Sequence, residues 1–331
     1  MKNTRLMRSI TRNNPKVSII IPYYVDTKRF FVDLKKFNKL NYKNYEIIIV
    51  SDKKIEIKNP KTRVLITGKQ TTGPAEKRDI AIKSAKGEIC AFIDDDAYPD
   101  KNWLKNAVVH FNHPQIVAVG GPGITPKEDK YWEQLTGLVY SSFFCGGQAQ
   151  HRFVKKHAMF VDDYPAYNLV VRKDVLKKIG GYGTHFYGGE DTFLCLKLIK
   201  GGHKIIYDPE VVVHHHRRAL FLPYLRQISN IGTHRGYFAK KFPETSRRFD
   251  YFIPSILALG FLLGLLLSIY NLTIFYLYTF LIIFFVILGM LSVIKRASIK
   301  DAFIVSIGII ATHLTYGIFF LNGLMIQKLK R

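Results

Sequence analysis

The sequence predicts an α/β fold with a mixed, mostly parallel sheet flanked by helices, followed by an α-helical transmembrane region. In the first part of the chain, short β-branched and aliphatic runs alternate with segments of helical periodicity, which is typical of strands joined by crossover helices. The C-terminal part instead carries long stretches without Asp, Glu, Lys or Arg. Because ligands collect at the carboxyl ends of parallel strands, the polar residues that follow each strand are the first candidates for a functional site.

The predicted elements are separated by turn residues, and several strands run directly into polar side chains. The predicted strands are Val17–Pro22, Tyr45–Val50, Arg63–Ile66, Glu88–Ile93, Asn168–Arg172, Ile205–Tyr207 and Val211–Val213. The predicted helices are Lys28–Leu40, Ala75–Ala85, Lys173–Lys178 and Asp191–Lys200. Glycine pairs close the last two helices, as suits a helix C-terminus.

Two hydrophobic stretches near the C-terminus predict membrane spans. Neither Tyr251–Ile294 nor Ala302–Ile326 contains Asp, Glu, Lys or Arg, and about 20 apolar residues are enough to cross the hydrocarbon core. Buried helices of a soluble core fit badly, because such helices rarely run this long without a charge. We therefore expect three spans, near Tyr251–Ile269, Leu272–Ile294 and Ala302–Leu324.

The charge distribution predicts the orientation of these spans. Basic residues dominate Arg217–Phe249 and recur in Lys295–Lys300, which puts both segments on the cytoplasmic side by the positive-inside rule. Three crossings then leave Lys328, Lys330 and Arg331 outside, against that rule. The alternative is a third segment that re-enters or lies along the interface, and its glycines, His313 and Asn322 make it the least lipid-like of the three. We expect three spans and an external C-terminus.

Leader, cysteine and charge patterns indicate a soluble part on the cytoplasmic side of the membrane. Met1–Pro15 has no apolar segment like that of a signal peptide. The three cysteines, Cys90, Cys145 and Cys195, form no CxxC pair and suit a reducing compartment. The net charge of +24 favours an anionic membrane surface as partner. Nucleic acid is not expected, because the basic residues cluster ahead of the membrane segment and no nucleic-acid-binding motif is present.

Three acids in a row, Asp94–Asp96, follow the strand that ends in Phe92-Ile93. Adjacent carboxylates repel one another and need a counter-charge. A divalent cation supplies it, and hard oxygen ligands suit Mg²⁺ or Mn²⁺. A solvated acidic turn or a helix N-cap is an equally good interpretation of this motif by itself.

Two later motifs could complete a site. Gly188–Asp191 places two acids at the start of a helix, where one could act as a general base, although ordinary N-terminal helix charge also explains them. His214, His215 and His216 follow a predicted strand, and imidazole is a common metal ligand. Strand side chains alternate, so we expect only one of the three to face the acids; a solvated basic face is the alternative.

In combination these motifs resemble the family 2 glycosyltransferases with the GT-A fold. Their order is strand-Ile-Pro-Tyr, strand-Ser-Asp, Gly-Pro-Ala-x-Lys-Arg-Asp, strand-Asp-Asp-Asp, Gly-Gly-Glu-Asp and a late His, between about Val17 and Arg248. The resemblance implies a cytoplasmic GT-A-type, Rossmann-like catalytic domain over residues 1–216. Basic juxtamembrane or interfacial helices are then expected over 217–250, and a transmembrane region of about three helices over 251–331.

The resemblance assigns nucleotide contacts to the first motifs. Pro22 and Tyr23 match the strand end that lines the nucleotide base. Asp52 matches an acid that contacts the base, and Arg78 a basic position near the nucleotide. The family's common Asp-Asp-Gly-Ser reads Ser51-Asp52-Lys53-Lys54 here, so the identity of the base is open; a UDP-sugar is favoured.

The resemblance also implies a metal site and a catalytic base. Asp94 and Asp96 match the outer acids of the DxD motif around Asp95, and Asp96 is the expected direct ligand of Mg²⁺ or Mn²⁺. His215 best matches the late histidine that holds metal or diphosphate, with the histidines on either side as rivals. In the Glu190–Asp191 pair, Asp191 matches the base and Glu190 its neighbour.

The activity implied is an inverting, metal-dependent transfer, with a hexose the expected sugar, from a nucleotide-sugar donor to a lipid-linked or glycan hydroxyl at the cytoplasmic membrane face. Processive synthases carry Gln-x-x-Arg-Trp, whereas Gln227–Ile231 lacks both the Arg and the Trp, so we expect transfer of a single sugar. One alternative is a nucleotidyltransferase that shares the sheet and the metal carboxylates. The other is a non-catalytic membrane scaffold that keeps the fold.

Overall fold

The computed structural model describes residues 14–24 and 28–329. The chain forms two compact units, each built from discontinuous segments. The sheet unit contains the chain up to Ile124 and then Val154–His215, and the helical unit contains Thr125–Phe153 and His216–Lys330. Most of Met1–Pro15, where no leader was expected, lies outside the described residues, as do Lys330 and Arg331.

The sheet unit contains an eight-stranded mixed sheet and a three-stranded sheet. In chain order the strands are β1 (Val17–Pro22), β2 (Tyr45–Ser51), β3 (Thr62–Ile66), β4 (Ile89–Phe92), β5 (Ala97–Pro99), β6 (Ile116–Gly120), β7 (Gly123–Ile124), β8 (Met159–Val161), β9 (Leu169–Arg172), β10 (Lys204–Tyr207) and β11 (Val213–His215). The large sheet has the order β3-β2-β1-β4-β9-β6-β10-β8, and the small one β5-β11-β7. Strand β9 is antiparallel to β4 and β6, and β8 is antiparallel to β10, while the other pairs of the large sheet are parallel.

Helices cover this sheet and explain the apolar strands. The helices of the sheet unit are α1 (Lys28–Lys36), α2 (Pro74–Ser84), α3 (Trp103–Val108), α6 (Lys173–Lys178) and α7 (Glu190–Lys200). Strands β1, β2 and β4 are buried along their whole length, as expected where both faces of a sheet are covered. Helix α2 packs against β1 and β2. The predicted α/β fold, with a mixed and mostly parallel sheet, is confirmed.

Two predicted boundaries are wrong. The last strand was expected at Val211–Val213, but β11 is Val213–His215, because Val213 pairs with both Pro99 and Gly123 while the Val211 N–H donates to the Asp208 carbonyl in a turn. Helix α1 ends at Lys36, where a 3-10 turn takes over. In the first case, distant partner strands decided which valines pair.

The helical unit contains the remaining helices. They are α4 (Tyr131–Ser141), α5 (Phe143–Gly146), α8 (Leu222–Lys241), α9 (Pro243–Ser246), α10 (Phe249–Ser268), α11 (Leu272–Leu291) and α12 (Ile299–Met325). Helices α10, α11 and α12 have mean hydropathies of 2.1, 2.6 and 1.9 and are long and apolar enough to cross a membrane. The expectation of three apolar C-terminal helices is confirmed. Helices α4 and α5, which lie within the first half of the chain, were not predicted.

A buried asparagine ties several parts of the sheet unit together. Asn168 is fully buried just before β9. Its Oδ1 accepts a hydrogen bond from Trp103 Nε1 at 2.8 Å, and its Nδ2 donates to the carbonyls of Gly121 and Val211 at 2.6 and 2.7 Å. One amide therefore satisfies three buried polar groups near the strands that carry the candidate site.

We expect Asn168→Ala to lower the free energy of unfolding by on the order of 3 kcal/mol, because it leaves a buried indole N–H and two carbonyls without a partner. Pulse proteolysis in urea would measure the change. Asn41→Ala is the matched control, because it removes only an exposed hydrogen bond that Asn41 Nδ2 donates to Asn102, and it should cost no more than about 0.5 kcal/mol. Equal stability of both variants would contradict the role of Asn168.

Candidate active site

An acidic turn and a late histidine meet at the end of β4. Asp94, Asp96 and His215 each offer one ligand atom, and these atoms lie within 4.8 Å of one another. The pairing of β11 with β5 explains the meeting, because it aligns His215 with Ala97, the residue after Asp96. His215 Nε2 lies 3.0 Å from Asp96 Oδ1.

The neighbouring side chains point elsewhere. Asp95 Oδ2 accepts a hydrogen bond from the Tyr24 backbone N–H at 2.7 Å. The His214 ring stacks on Tyr98, with 4.8 Å between ring centroids, and His216 contacts the Asp129 carboxylate within the helical unit. The structure therefore brings one of the three histidines to the acids, as strand alternation requires.

The donor atoms of this cluster fit a divalent cation. Two carboxylates and one imidazole nitrogen are ligands that Mn²⁺ accepts, and the carboxylates also suit Mg²⁺. Burial raises the pKa of Asp94, and the nearby Asp96 carboxylate raises it further, whereas Arg78 opposes both effects. The cluster is thus short of positive charge, and Asp94, Asp96 and His215 could hold a metal ion.

A buried arginine joins this cluster to the second acidic motif. Arg78 lies on α2 and is 2% exposed. Its guanidinium approaches Asp94 Oδ1 at 2.7 Å and Glu190 Oε1 at 3.1 Å. Asp191 Oδ1 lies 3.6 Å from the same guanidinium. One side chain therefore fixes the distance between the acids after β4 and those that open α7.

Within this pair, Glu190 and Asp191 have different surroundings. Glu190 is buried, and its second oxygen, Oε2, accepts the Gly188 N–H at 2.8 Å. The turn depends on glycine, because Gly188 and Gly189 have φ of +101° and +76°. Glu190 therefore holds the loop and Arg78 in place.

Asp191 keeps one oxygen outside this hydrogen-bond network. Its Oδ2 accepts the Ala166 N–H at 3.0 Å, but its buried Oδ1 has no hydrogen-bond partner among the described residues. Burial and then the Glu190 carboxylate raise the pKa of Asp191 to about 8, against the opposing effects of Arg78 and the Ala166 N–H. Such a carboxyl can accept a proton near neutral pH.

The structure places Asp52 in a network that the sequence did not reveal. Its carboxylate accepts hydrogen bonds from Thr67 Oγ1 at 2.6 Å and from the Thr72 N–H at 3.2 Å, and it pairs with Lys77 Nζ at 3.0 Å. Although burial acts in the opposite direction, these hydrogen bonds lower the pKa of Asp52 to about 2. Lys77, which is 1% exposed, also donates to the Tyr23 carbonyl at 2.5 Å.

Lys77 was missed as a site residue. The available signal was two adjacent basic residues, Lys77 and Arg78, in a short helix whose Ala75, Ala81 and Ile82 pack into the core. A charge on the buried side of a helix needs a partner. Lys77 contacts Asp52 and the next residue, Arg78, contacts Asp94. The same turn of α2 therefore contacts both the Asp52 network and the Asp94 cluster.

A cleft of about 360 Å³ opens beside the N-terminus of α2. It is lined by Tyr24, by residues of the 71–76 segment and by Thr184–Tyr187. Pro22 ends β1, and the Tyr23 ring is buried against Phe30. Tyr24, which is 56% exposed, is the tyrosine of this pair that lines the cleft; the predicted nucleotide contacts of Pro22 and Tyr23 stay predictions.

Comparison with known proteins identifies the family to which the site-bearing segment is related. The sequence model of "Glycosyl transferase family 2" matches residues 18–180, a segment that holds Asp52, Arg78 and the Asp94–Asp96 motif. The segment 18–180 therefore belongs to this glycosyltransferase family. The chain is 27% identical over 149 residues to a pre-mycofactocin glycosyltransferase of Mycobacterium tuberculosis, and the match covers 45% of this chain and 31% of that protein. The chain thus spans about a third of that relative.

A second relative matches over more of its length. A dolichyl N-acetyl-α-D-glucosaminyl phosphate 3-β-D-2,3-diacetamido-2,3-dideoxy-β-D-glucuronosyltransferase of Methanococcus voltae is 24% identical over 242 residues, which cover 68% of this chain and 74% of that protein. Among solved structures, the mannosyltransferase PcManGT of Pyrobaculum calidifontis, in complex with GDP-Man and Mn²⁺, superposes with a TM-score of 0.50 at 19% identity over 72% of this chain and 69% of that one. This likeness confirms the GT-A fold.

We expect Asp96→Asn to weaken Mn²⁺ binding by more than the roughly 10- to 100-fold that follows loss of an outer partner of a ligand, because it removes one of the carboxylates of the cluster. Titration of the full chain with Mn²⁺ alone would measure this. Asp95→Asn removes the same formal charge one residue away, and since Asp95 contacts the Tyr24 N–H, it should bind Mn²⁺ far better than Asp96→Asn. Equal binding by the two variants would place the metal elsewhere.

Proposed function

We propose that the chain is an inverting, non-processive glycosyltransferase that moves one hexose from a nucleotide-sugar donor to a hydroxyl acceptor at the cytoplasmic face of the membrane. The observation that carries this proposal is the guanidinium of Arg78, which ties the metal-fitting acids to Asp191. Donor diphosphate and attacking hydroxyl must meet at one carbon atom, so the groups that serve them must be held at a fixed separation. Arg78 supplies that fixed separation.

In this proposal each acid has one task. Asp191 accepts the proton of the acceptor hydroxyl through Oδ1, which accepts no hydrogen bond from the described residues. The hydroxyl oxygen meanwhile attacks the anomeric carbon from the face opposite the diphosphate. Glu190 positions Arg78 and the glycine turn. Asp94, Asp96 and His215 would hold a Mg²⁺ or Mn²⁺ ion, whose chemistry when bound is to offset negative charge on the departing diphosphate.

The donor is assigned to the cleft beside α2. Asp52 acts by positioning, because its oxygens already engage Lys77, Thr67 and Thr72, and it thereby orders the loop at the rim of the cleft. A UDP-sugar is the favoured donor. Donors with other bases must be tested as well. The PcManGT structure holds GDP-Man, whereas the structure of GalNAc-T7, with a TM-score of 0.50, holds UDP.

A lipid-linked or glycan acceptor is proposed from two observations. The described chain carries three helices that are apolar enough for a bilayer, and the Methanococcus voltae relative acts, by its name, on a dolichyl phosphate-linked sugar. Transfer of a single sugar is proposed because the sequence has no Gln-x-x-Arg-Trp, which the resemblance associates with processive synthases.

Incubation of the purified full chain with a panel of nucleotide sugars, Mn²⁺ and a membrane lipid extract tests the proposal. Release of nucleoside diphosphate together with a glycosylated lipid is the expected result. Release of sugar 1-phosphate with a nucleotidylated product would instead identify a nucleotidyltransferase, because transfer of the nucleotidyl group from a nucleotide sugar leaves the sugar phosphate behind. No turnover with any donor, under conditions in which Mn²⁺ binds, would favour a non-catalytic scaffold.

We expect Asp191→Asn to keep donor affinity and to lose on the order of 10²–10⁴ in kcat, because the amide cannot accept the proton. Glu190→Gln is the comparison: it keeps Asp191 as the base and weakens only the contacts that position Arg78 and the glycine turn, so it should lower kcat by less than Asp191→Asn does. Initial rates over a range of donor concentrations separate the two effects. Near-parental kcat in Asp191→Asn would reduce that residue to a helix-capping role.

The raised pKa of Asp191 predicts a pH dependence. Protonation below a pKa of about 8 blocks a base, so kcat should fall as the pH drops. A cation at Asp94 and Asp96 favours the ionised carboxylate, so the midpoint of this limb should lie below 8 with Mn²⁺ bound. The pH profile of kcat measures it, and the residual activity of Asp191→Asn should lack this limb. A parental kcat that is constant between about pH 6 and 9 would contradict the assignment.

A further inference from the structure

Helix α12 differs from the other two apolar helices in its surroundings. Within the helical unit, 39% of the most apolar 18-residue stretch of α12 is buried, compared with 11% for that of α10 and 6% for that of α11. It packs against α8, α10, α11 and α4. Its partners, and the depths at which they touch it, indicate how it lies relative to a bilayer.

Helices α10 and α11 form an antiparallel hairpin. A Cβ built on Gly264 would lie 2.7 Å from the Tyr278 ring, and the Phe261 and Phe285 rings are 5.8 Å apart. The ends of the hairpin away from the Tyr270 turn are flanked by Arg248 and Lys295. By the positive-inside rule, these basic ends lie at the same membrane surface.

Helix α12 meets both arms of the hairpin close to this basic end. Ser306 Oγ donates to the Val286 carbonyl, and a Cβ on Gly289 would meet the same side chain. Gly317 is so close to the Pro254 carbonyl that a Cβ there would lie 2.2 Å from it. Gly289 is six residues before Lys295, and Pro254 is six residues after Arg248. The two contacts are therefore at the same depth.

This equality of depth fixes the direction of α12. From Ser306 to Gly317 the helix advances by roughly 16 Å, yet it moves between two points of equal depth on the hairpin. A helix that crossed the bilayer beside α10 and α11 would change its depth by about that length. Helix α12 therefore runs across the basic end of the hairpin.

Helix α8 independently supports this placement. It runs beside the C-terminal half of α12 in the same direction, so closely that Cβ atoms on Gly232 and Gly236 would lie 2.8 and 2.0 Å from the carbonyls of Tyr316 and Phe320. Lys240 Nζ donates to the Ile326 carbonyl at the end of α12. The basic side chains of α8 are Arg226, Arg235, Lys240 and Lys241. Charges of this kind are costly in hydrocarbon and favourable at anionic head groups.

We propose that α12 lies within the membrane surface instead of crossing the bilayer, that α8 lies beside it against anionic lipid head groups, and that only the α10–α11 hairpin spans. The C-terminus is then on the same side as Arg248, which satisfies the positive-inside rule that three spans violate. This replaces the expected external C-terminus. The inference rests on the membrane attachment in the proposed function, and it is independent of the chemistry.

Cysteine labelling of the full chain tests the side on which each turn lies. Tyr270→Cys, in the hairpin turn, and Gln327→Cys, after α12, are both at exposed positions and change no charge. With a membrane-impermeant maleimide we expect Tyr270→Cys to react in intact spheroplasts, and Gln327→Cys to react only after the membrane is opened. The parent chain controls for its own three thiols. Any other pattern, including labelling of both variants or of neither in intact spheroplasts, overturns the proposal.

Depth measurement distinguishes a surface helix from a span directly. Spin labels at Phe303→Cys and Ile318→Cys, both exposed and about 22 Å apart along α12, should report equal depths. The matched pair on α10, Ile253→Cys and Leu267→Cys, should differ by about 20 Å. Equal differences for the two pairs would establish α12 as a span. Release of the chain from membranes by carbonate would instead remove the membrane attachment on which the inference rests.

Discussion

The arrangement of the candidate site depends on one buried cation. Arg78 lies among Asp94, Glu190 and Asp191, which come from two segments far apart in sequence. A guanidinium stays charged when buried and offers five donors in a rigid plane. It can therefore keep several carboxylates close together that would otherwise repel one another. Arg78 thereby joins Asp94, after β4, to the two acids that open α7.

The small sheet supplies the second constraint. Strands β5 and β11 are only three residues each, yet their pairing decides which histidine reaches the acids. A shift of one residue would turn His214 or His216 toward Asp96 in place of His215, because neighbouring side chains on a strand face opposite sides. The stacking of His214 on Tyr98 and the contact of His216 with Asp129 hold that register from both sides.

Much of the fold could be predicted from the sequence because the pattern was local. The runs at β1, β2 and β4 and the long apolar stretches of α10 and α11 are marked by their own residues, and the structure has them within a few positions. The predicted bounds of the last strand were wrong because Val211, Val212 and Val213 are equivalent in sequence. Only pairing with β5 and β7 shows that the strand begins at Val213. Lys77 was missed as a site residue for a similar reason. Its partner Asp52 lies 25 residues earlier, and in sequence a buried, paired lysine cannot be told from a lysine on the surface. The motifs predicted that Asp94, Asp96 and Asp191 lie near the ends of strands or helices. The distance between Asp94 and Asp191 could not be predicted, because it depends on their shared contact with Arg78.

The division of the chain into units has a practical consequence for protein production. Residues 125–153 lie in sequence between the two segments of the sheet unit, yet Leu135 and Val139 of α4 pack in a core with Leu220, Val305 and Ile309 of the helical unit. A fragment that stops after His216 would keep α4 but lose those partners, leaving an apolar helix face open to solvent. Such a fragment would be prone to aggregate even though its sheet is complete. A soluble version needs a short linker in place of residues 125–153.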